Sequence, residues 1–346
     1  MSDDILVVKN LKEYFPGSKR KSPPVKAVDD VSFAVRRGET LSLVGESGSG
    51  KTTIARSLLR VWEPTAGEAH FYSREGRDFN IMKLSKKELK EFRRYAQMIF
   101  QDPYSSLSPR MTVYDIIGEP LMVNFGLRGE ELSKRVIEIA ELCGLNREYL
   151  RRYPHAFSGG QRQRIGIARA LAMKPELVVC DEPVSALDVS IQAKILNLLK
   201  DLQSQLNLSY LFIAHDLSVV KHISDRIVVL YLGRIMEIAD VDDLFEKPLH
   251  PYTEALISAI PPTNPDMEMK PILLEGEIPN SINPPSGCRF HPRCAYAKDI
   301  CSKEEPVLKA YRGQKEDRFC ACHFAGELKL HSLADTEAEE AALSRK

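Results

Sequence analysis

The stretch that most constrains the fold is "GESGSGKTT", residues 45–53. It follows the apolar run "ETLSLVG", residues 39–45, and it opens the helical pattern "KTTIARSLLRV". The spacing G-x-x-x-x-G-K-[ST] lets successive backbone N–H groups surround an anionic phosphate, and the start of a helix adds partial positive charge. The sequence therefore predicts a phosphate-binding loop between a buried strand and a helix.

Two side chains of this loop have distinct predicted roles. Lys51 is expected to reach the β- and γ-phosphates of a nucleotide, and Thr52 to ligate Mg²⁺ through its hydroxyl. The other predicted nucleotide-binding residues of the loop are Gly45, Ser47, Gly48, Ser49, Gly50 and Thr53.

Composition narrows the class of protein. The 346 residues suit one large domain and a smaller one, and 43% hydrophobic with 28% charged residues is typical of a globular protein. Acidic and basic residues both number 48, so charge does not favour nucleic acid as the main partner. The start "MSDDILVVKN" does not resemble a signal peptide, and no apolar run has the length of a membrane span. We therefore expect a cytoplasmic location, where thiols stay reduced.

Apolar runs alternate with helical patterns up to about residue 247. Runs such as "ELVVCDEP" (176–183) and "YLFIAHD" (210–216) suit buried parallel strands. The order predicts an α/β fold with a mainly parallel sheet. A helical subdomain is expected at about 102–173, a loop-rich domain at 248–325, and a polar tail at 326–346, which is either a short helix or disordered.

Two acidic residues follow the apolar strand in "LVVCDEP". Asp181, at the strand end, is expected to hold Mg²⁺, and Glu182 to polarise a water for attack on the γ-phosphate. The glutamate argues against a P-loop GTPase, which also carries a base-specific "NKxD" that this sequence lacks.

A second glycine-rich helix start lies in "FSGGQRQRIGIARAL", residues 157–171. Ser158 with the two following glycines offers a hydroxyl and free N–H groups to an anion. One chain rarely needs two cradles for a γ-phosphate. The pattern therefore suggests a dimer in which each subunit closes the other's site.

With these motifs in this order, residues 5–247 resemble the ATPase subunits of ABC transporters. The resemblance implies a P-loop NTPase fold of ABC type, with an antiparallel N-terminal subdomain and an inserted helical subdomain. It also implies an ATP sandwich dimer. The roles it implies are Mg²⁺ sensing and ligation by Gln101, a signature motif at Ser158, Gly160 and Gln161, a D-loop containing Asp188, a catalytic switch histidine at His215, and adenine stacking by Phe15, with Tyr14 as the adjacent alternative.

Three further stretches narrow the resemblance to the oligopeptide/dipeptide importers. They are "QDPYSSLSPRMTVYDIIGEPL" (101–121), "HPYTEALISAIP" (250–261) and the cysteine-rich segment. "LLRVWEPTAG" and the short segment between the phosphate loop and Gln101 resemble the F-type more than the D-type ATPase subunit.

This resemblance implies a complex at the cytoplasmic face of the membrane. Its other members would be a paralogous ATPase, two membrane-spanning permeases and a substrate-binding protein, with no nucleic acid. A homodimer is the alternative for the isolated chain. Short peptides are the implied cargo, and nickel, glutathione-like compounds or oligosaccharides are alternatives. Non-transport ABC ATPases acting on DNA or ribosomes, and P-loop kinases, are different classes that remain open.

Five of the seven cysteines cluster between 288 and 322, with spacing C-x5-C-x6-C before the last two. The spacing lacks the C-x2–4-C knuckle of common zinc sites and the usual ferredoxin patterns. By itself it favours zinc over an iron–sulfur cluster and leaves a metal-free group open. Cys143 and Cys180 lie in apolar contexts and are expected in the core.

The resemblance changes this expectation, because some members of the family carry a [4Fe–4S] cluster in this segment. The matching positions are Cys288, Cys294, Cys301 and Cys322, and Cys320 is an extra cysteine. Zinc completed by His291 and His323 stays the alternative. The implied cofactors are thus ATP with Mg²⁺ and a structural [4Fe–4S] cluster in a small C-terminal metal-binding domain.

Overall fold

The computed structural model describes residues 3–17, 23–261, 271–313 and 318–336. Within these ranges the strands form two sheets, one of four strands and one of eight. In chain order the strands are β1 Asp4–Phe15, β2 Val25–Arg36, β3 Thr40–Val44, β4 Ala66–Tyr72, β5 Asp78–Asn80, β6 Ala96–Ile99, β7 Leu177–Asp181, β8 Ser209–Ile213, β9 Arg226–Tyr231, β10 Arg234–Asp240, β11 Lys309–Tyr311 and β12 Arg318–Cys320.

The helices lie mainly between β6 and β7 and after the strands of the larger sheet. None of those described is long and apolar enough to span a bilayer. In chain order they are α1 Lys51–Leu58, α2 Lys86–Tyr95, α3 Val113–Phe125, α4 Gly129–Leu142, α5 Gly159–Leu171, α6 Val189–Leu206, α7 Leu217–Ile223, α8 Val241–Glu246, α9 Pro251–Ser258 and α10 Asp299–Lys303.

The larger sheet has the order β11-β12-β10-β9-β3-β8-β7-β6. Its strands from β9 to β6 pair in parallel, and β10, β12 and β11 extend it in antiparallel fashion. Every residue of β3, β7 and β8 is buried, because helices or the smaller sheet cover both faces. The predicted α/β fold with a mainly parallel core sheet is confirmed, and the three predicted strands lie where expected.

The smaller sheet, β2-β1-β4-β5, is antiparallel. It packs with α1 on one face of the larger sheet and forms a hydrophobic cluster there. The helices α3 to α6 form a second cluster on the opposite face. The core sheet thus lies between two apolar layers, with its carboxyl-terminal strand ends free to hold a site.

Three helices, α3 to α5, fill the predicted helical region, and no strand lies between residues 102 and 173. Two of these helices begin with a capping box, which satisfies N–H groups that the first turn leaves unpaired. The bounds of a separate helical subdomain stay a prediction.

The C-terminal segment is joined to the core sheet. Strand β12 pairs with β10, with Cys320 opposite Glu237, and β11 pairs with β12. Cys288 and Cys301 belong to the same hydrophobic cluster as the helices α3 to α6. The segment has little apolar sequence of its own, and it shares the core of the large domain. The division at 247 stays a prediction.

Parts of the predicted C-terminal domain and tail fall outside the part of the chain that the structure describes. Residues 262–270 and 314–317 of the predicted accessory domain, and 337–346 of the predicted tail, lie outside the described residues. Cys143 and Cys180 are fully buried, which confirms their predicted place in the core.

Candidate functional site

The phosphate loop connects β3 to α1 at the carboxyl edge of the core sheet. Gly50 caps α1 with a left-handed φ of 104°. A Cβ at this position would meet the carbonyl oxygen of Ala27 at 2.5 Å, so the loop can close only with glycine here. The predicted strand–loop–helix arrangement is present.

Lys51 points into this loop and is 5% exposed. Its Nζ donates hydrogen bonds to the carbonyl oxygens of Gly45 at 2.6 Å and Glu46 at 2.9 Å. Burial lowers the pKa of Lys51, while the carboxylates of Glu182 and Asp181 act in the opposite direction. A buried ammonium group held by carbonyl oxygens can meet a phosphate with little reorganisation.

Thr52 and Asp181 form the second predicted pair. The Thr52 hydroxyl donates to the Asp181 Oδ1 at 2.9 Å, across the space between α1 and β7. Asp181 is buried at the end of its strand, and burial raises the pKa of its carboxyl group. Hydroxyl and carboxylate oxygens side by side are ligands that suit Mg²⁺. The donor set therefore fits the predicted ion.

Glu182 joins the other two predicted catalytic residues. Its Oε2 accepts a hydrogen bond from Gln101 Nε2 at 2.8 Å and lies 3.2 Å from His215 Nδ1. Glu182 has a left-handed φ of 46°, a conformation that is uncommon for a residue with a side chain. Glu182 is the first residue after β7, and in this backbone conformation its carboxylate contacts both Gln101 and His215.

One cavity of about 590 Å³ brings most of these predicted residues together. Gly45, Ser49 and Asp181 are not among its lining residues, and Ser49 and Asp181 are buried. The predicted residues that line it are Ser47, Gly48, Gly50, Lys51, Thr52, Thr53, Gln101, Glu182 and His215.

The two candidate aromatic residues have different surroundings. The Tyr14 hydroxyl donates a hydrogen bond to Asp29 Oδ1 at 2.5 Å. Burial is the main cause that raises the pKa of Tyr14 to about 12, and this hydrogen bond is the next. Phe15 is opposite Val25, which lines the cavity, and it packs edge-on against Trp62 at 5.1 Å. Adenine stacking by Phe15 stays a prediction.

The signature residues do not line this cavity. Ser158 caps α5, where its hydroxyl accepts from the Gln161 backbone at 3.4 Å. Gly160 lies against α6, since a Cβ there would meet Ile191 at 2.4 Å. Ser158 is exposed, as is Asp188 at the start of α6. These groups are thus available to a second chain.

Three lining residues carry no motif and were missed from the sequence. Val25 and Ala27 come from β2, and Ser281 comes from the C-terminal segment. The Lys26 backbone N–H donates to the Ser281 carbonyl oxygen at 3.1 Å, so the segment lies at the edge of the cavity. No local pattern could have indicated this contact, because it depends on how distant segments pack.

The four predicted cluster cysteines lie close enough to affect one another. Burial raises the pKa of Cys288 to about 12; a backbone hydrogen bond at Phe290 lowers it, and the neighbouring thiols of the other three cysteines raise it. Among the described residues, however, no group of three or more His, Cys, Asp or Glu side chains is placed to hold a metal ion. The predicted metal-binding domain is therefore not confirmed.

The two predicted histidine ligands bond elsewhere. His291 Nδ1 lies 2.9 Å from the Cys288 carbonyl oxygen, and His323 Nε2 lies 2.9 Å from that of Glu304. The fifth cysteine, Cys320, is buried within β12.

The cavity has the size of a nucleotide. It combines a buried lysine, the Thr52–Asp181 pair and a carboxylate, Glu182, that contacts both Gln101 and His215. These features are those of the P-loop ATPases. Residues 28–185 match the family described as "ABC transporter". Residues 236–301 match "Oligopeptide/dipeptide transporter, C-terminal region". This second match includes three of the clustered cysteines.

Relatives and solved structures agree with these matches. The oligopeptide transport ATP-binding protein AppF of Bacillus subtilis is 49% identical over 328 residues, 93% of this chain and 97% of AppF. YkfD of the same organism is 52% identical over 322 residues, 92% of this chain and 95% of YkfD. The chain belongs to the family of ATP-binding subunits of oligopeptide/dipeptide ABC transporters. Membership of this family implies ATPase activity that is coupled to transport.

The fold is shared with two solved structures. The ATP-binding cassette MJ0796, in a dimeric post-hydrolysis state bound to ADP and Pi, has a TM-score of 0.60 at 30% identity. The match covers 68% of this chain and 98% of the MJ0796 chain. The cbiO1 subunit from Clostridium perfringens, part of the ABC transporter complex cbiONQ, has a TM-score of 0.62 at 27% identity and covers 71% and 93%.

Proposed function

We propose that this chain hydrolyses ATP to power the import of short peptides through an ABC transporter. The observation that carries the proposal is the single cavity in which Lys51 and Thr52 face Gln101, Glu182 and His215. The match of 236–301 to the oligopeptide/dipeptide C-terminal region supports the peptide cargo.

The position of each side chain supports a proposed role. Lys51 binds the β- and γ-phosphates, and Thr52 with Asp181 holds Mg²⁺, assisted by Gln101. When bound, the ion neutralises charge on the phosphates. Glu182 accepts the proton of the attacking water, and His215 orients the carboxylate from 3.2 Å.

The sandwich partner is proposed to be a paralogous ATPase, with this chain as the F-type subunit. Ser158 and Asp188 are exposed and lie away from the cavity of their own chain, which supports a role at the partner's ATP. ATP binding is coupled to dimer closure because ATP binds the closed dimer more tightly than the open one. The difference between the two binding free energies sets how far ATP shifts the equilibrium toward the closed dimer.

The permeases are proposed to dock on an apolar groove beside Gln101. Phe100 is 43% exposed and Val61 57%, and Leu59, Pro120 and Arg169 line the same groove. A permease segment seated there would touch the residue that precedes Gln101, and Gln101 bonds to Glu182. The chain would then lie at the cytoplasmic face of the membrane, with a substrate-binding protein on the other side.

A structural [4Fe–4S] cluster at Cys288, Cys294, Cys301 and Cys322 is part of the proposal. The proposal rests on the cysteines at these four positions, where the resemblance to the importer family implies the ligands, and on the electrostatic effects that their thiols exert on one another. Zinc completed by His291 and His323 stays the alternative.

The test is peptide uptake by cells that lack the gene, complemented with the wild-type chain or with Lys51→Ala. We expect the wild type to restore uptake of labelled di- and oligopeptides and Lys51→Ala to fail, because the variant loses its phosphate contact. If the wild type restored only the uptake of nickel, glutathione or oligosaccharides, the assignment of peptides as the cargo would be wrong. Co-purification with ribosomes or DNA, without a membrane-spanning protein, would overturn the transport function.

A further inference from the structure

The C-terminal segment makes direct polar contacts with the phosphate loop through Glu46. The Arg293 guanidinium donates to both carboxylate oxygens of Glu46, at 2.7 and 3.2 Å. These residues are 247 positions apart in the sequence. The Glu46 backbone N–H donates to the Tyr252 hydroxyl at 2.8 Å. Two residues outside the predicted large domain therefore hold one residue of the loop.

The third polar group of Glu46 leads to the phosphate-binding lysine. Its carbonyl oxygen accepts a hydrogen bond of 2.9 Å from Lys51 Nζ, and its carboxylate contributes to the electrostatic environment of Lys51. Movement of Glu46 would therefore displace an acceptor of Lys51. Arg293, Glu46 and Lys51 form one continuous chain of polar contacts.

Arg293 lies in buried, aromatic surroundings. Its side chain is 7% exposed, and Nη1 lies 3.4 Å from the hydroxyl of Tyr231. Tyr231, Tyr252 and Phe290 pack ring against ring with centroids 4.8 to 5.3 Å apart. A bidentate guanidinium–carboxylate pair on such a support fixes both distance and angle.

Charge gives the pair a second consequence. Glu46 is the only acidic residue of the loop sequence 45–53, and its side chain is 27% exposed. A negative charge near bound phosphates weakens their binding unless a cation neutralises it. Arg293 supplies that cation from a side chain that is itself largely shielded from water.

We propose that Arg293 is a positioning residue of the ATP site, which fixes and neutralises Glu46 and thereby holds Lys51 in place for the phosphates. The C-terminal segment is then a functional part of the nucleotide site in the same chain. The inference depends on ATP binding by this chain and not on the identity of the cargo.

The experiment compares ATP affinities of full-length chains by calorimetric titration. Arg293→Gln should weaken ATP binding about five- to tenfold, the size expected for loss of a charge-assisted pair. The matched control is Glu305→Gln, which removes an ion pair of 3.0 Å between the same segment and Arg234. We expect the control to stay within about twofold of the wild type. Equal weakening by both variants would indicate loose docking of the segment and would overturn the proposal.

A double-mutant cycle assigns the effect to Glu46. In the Glu46→Gln background, the further change Arg293→Gln should alter ATP affinity by less than about twofold, because the charge it neutralises is gone. A full effect in that background would overturn the proposal. Arg293→Lys, which keeps the charge and loses the bidentate geometry, should give an intermediate loss, and wild-type affinity in this variant would contradict positioning.

Steady-state kinetics separate positioning from a general structural role. Arg293→Gln should raise KM for ATP and leave kcat within about twofold, since Gln101, Glu182 and His215 are untouched. A fall in kcat with unchanged KM would overturn the proposal. A wild-type chain with no measurable ATP affinity would overturn the proposed function as well, so the two failures are distinguishable.

Discussion

The side chain of Gln101 donates a hydrogen bond of 2.8 Å to the carboxylate of Glu182, although the residues lie 81 positions apart. The contact joins the end of β6 to the end of β7, which are parallel neighbours in the core sheet. Parallel strands present their carboxyl ends at the same edge, so residues that follow them meet there. The groove proposed for the permease adjoins this contact.

Glu182→Gln should retain ATP binding and lose hydrolysis. The amide cannot accept the proton of the attacking water, and loss of a general base costs about 10²- to 10⁴-fold in rate. Calorimetric titration with ATP and a phosphate-release assay measure the two properties. Hydrolysis at the wild-type rate would show that Glu182 is not the base.

Ser158→Arg should lower hydrolysis by the assembled transporter, because it obstructs one of the two shared ATP sites, and leave ATP binding to the isolated chain intact. Ser158 is exposed and does not line the cavity of its own chain, so the large side chain obstructs only the partner's site. The comparison is with Lys51→Ala, which should lose binding in the isolated chain. Equal loss of binding in both variants would contradict the sandwich arrangement.

His250 should make the protein less stable as the pH falls below 6.5. Complete burial lowers the pKa of His250 from 6.5 to about 3, so the unfolded chain binds a proton that the folded chain rejects. The free energy of unfolding should fall by about 1.6 kcal/mol between pH 6.5 and 5 from this residue alone, and level off above about pH 7.5.

His250→Asn isolates this contribution. His250 Nδ1 accepts from the Tyr252 backbone at 3.0 Å to cap α9, and an asparagine oxygen can replace that acceptor without titrating. Urea midpoints of the two proteins should diverge below pH 6.5, with the variant less sensitive to acid. Parallel pH profiles would rule out this assignment.

Anaerobically purified protein should be brown, absorb near 400 nm and contain iron and sulfide. Cys322→Ser should lose iron, because Cys322 is the proposed fourth ligand of the cluster. The matched control is Cys320→Ala, which alters a cysteine buried within β12 and should keep the iron. Colourless protein with stoichiometric zinc would reject the cluster.

Much of the nucleotide site could be predicted from short segments. The phosphate loop, Asp181 and Glu182 each adjoin an apolar strand, and the chemistry of each follows from its immediate neighbours in the chain. The burial of β3, β7 and β8 was evident from continuous apolar sequence, because helices must cover both faces of a parallel sheet.

The C-terminal segment shows where local patterns are insufficient. Its composition indicated a loop-rich domain with a cysteine group, and the tertiary structure adds β12 to β10 and places Ser281 at the cavity. The ion pair of Arg293 with Glu46 has no sequence signature, since arginines and glutamates are common and their pairing depends on how distant segments pack. Sequence alone predicted the chemistry of the ATP site, because that chemistry lies in contiguous motifs. Only the tertiary structure decided what holds the site in place, because the buried aromatic support and the ion pair exist only once the segment packs against the sheet.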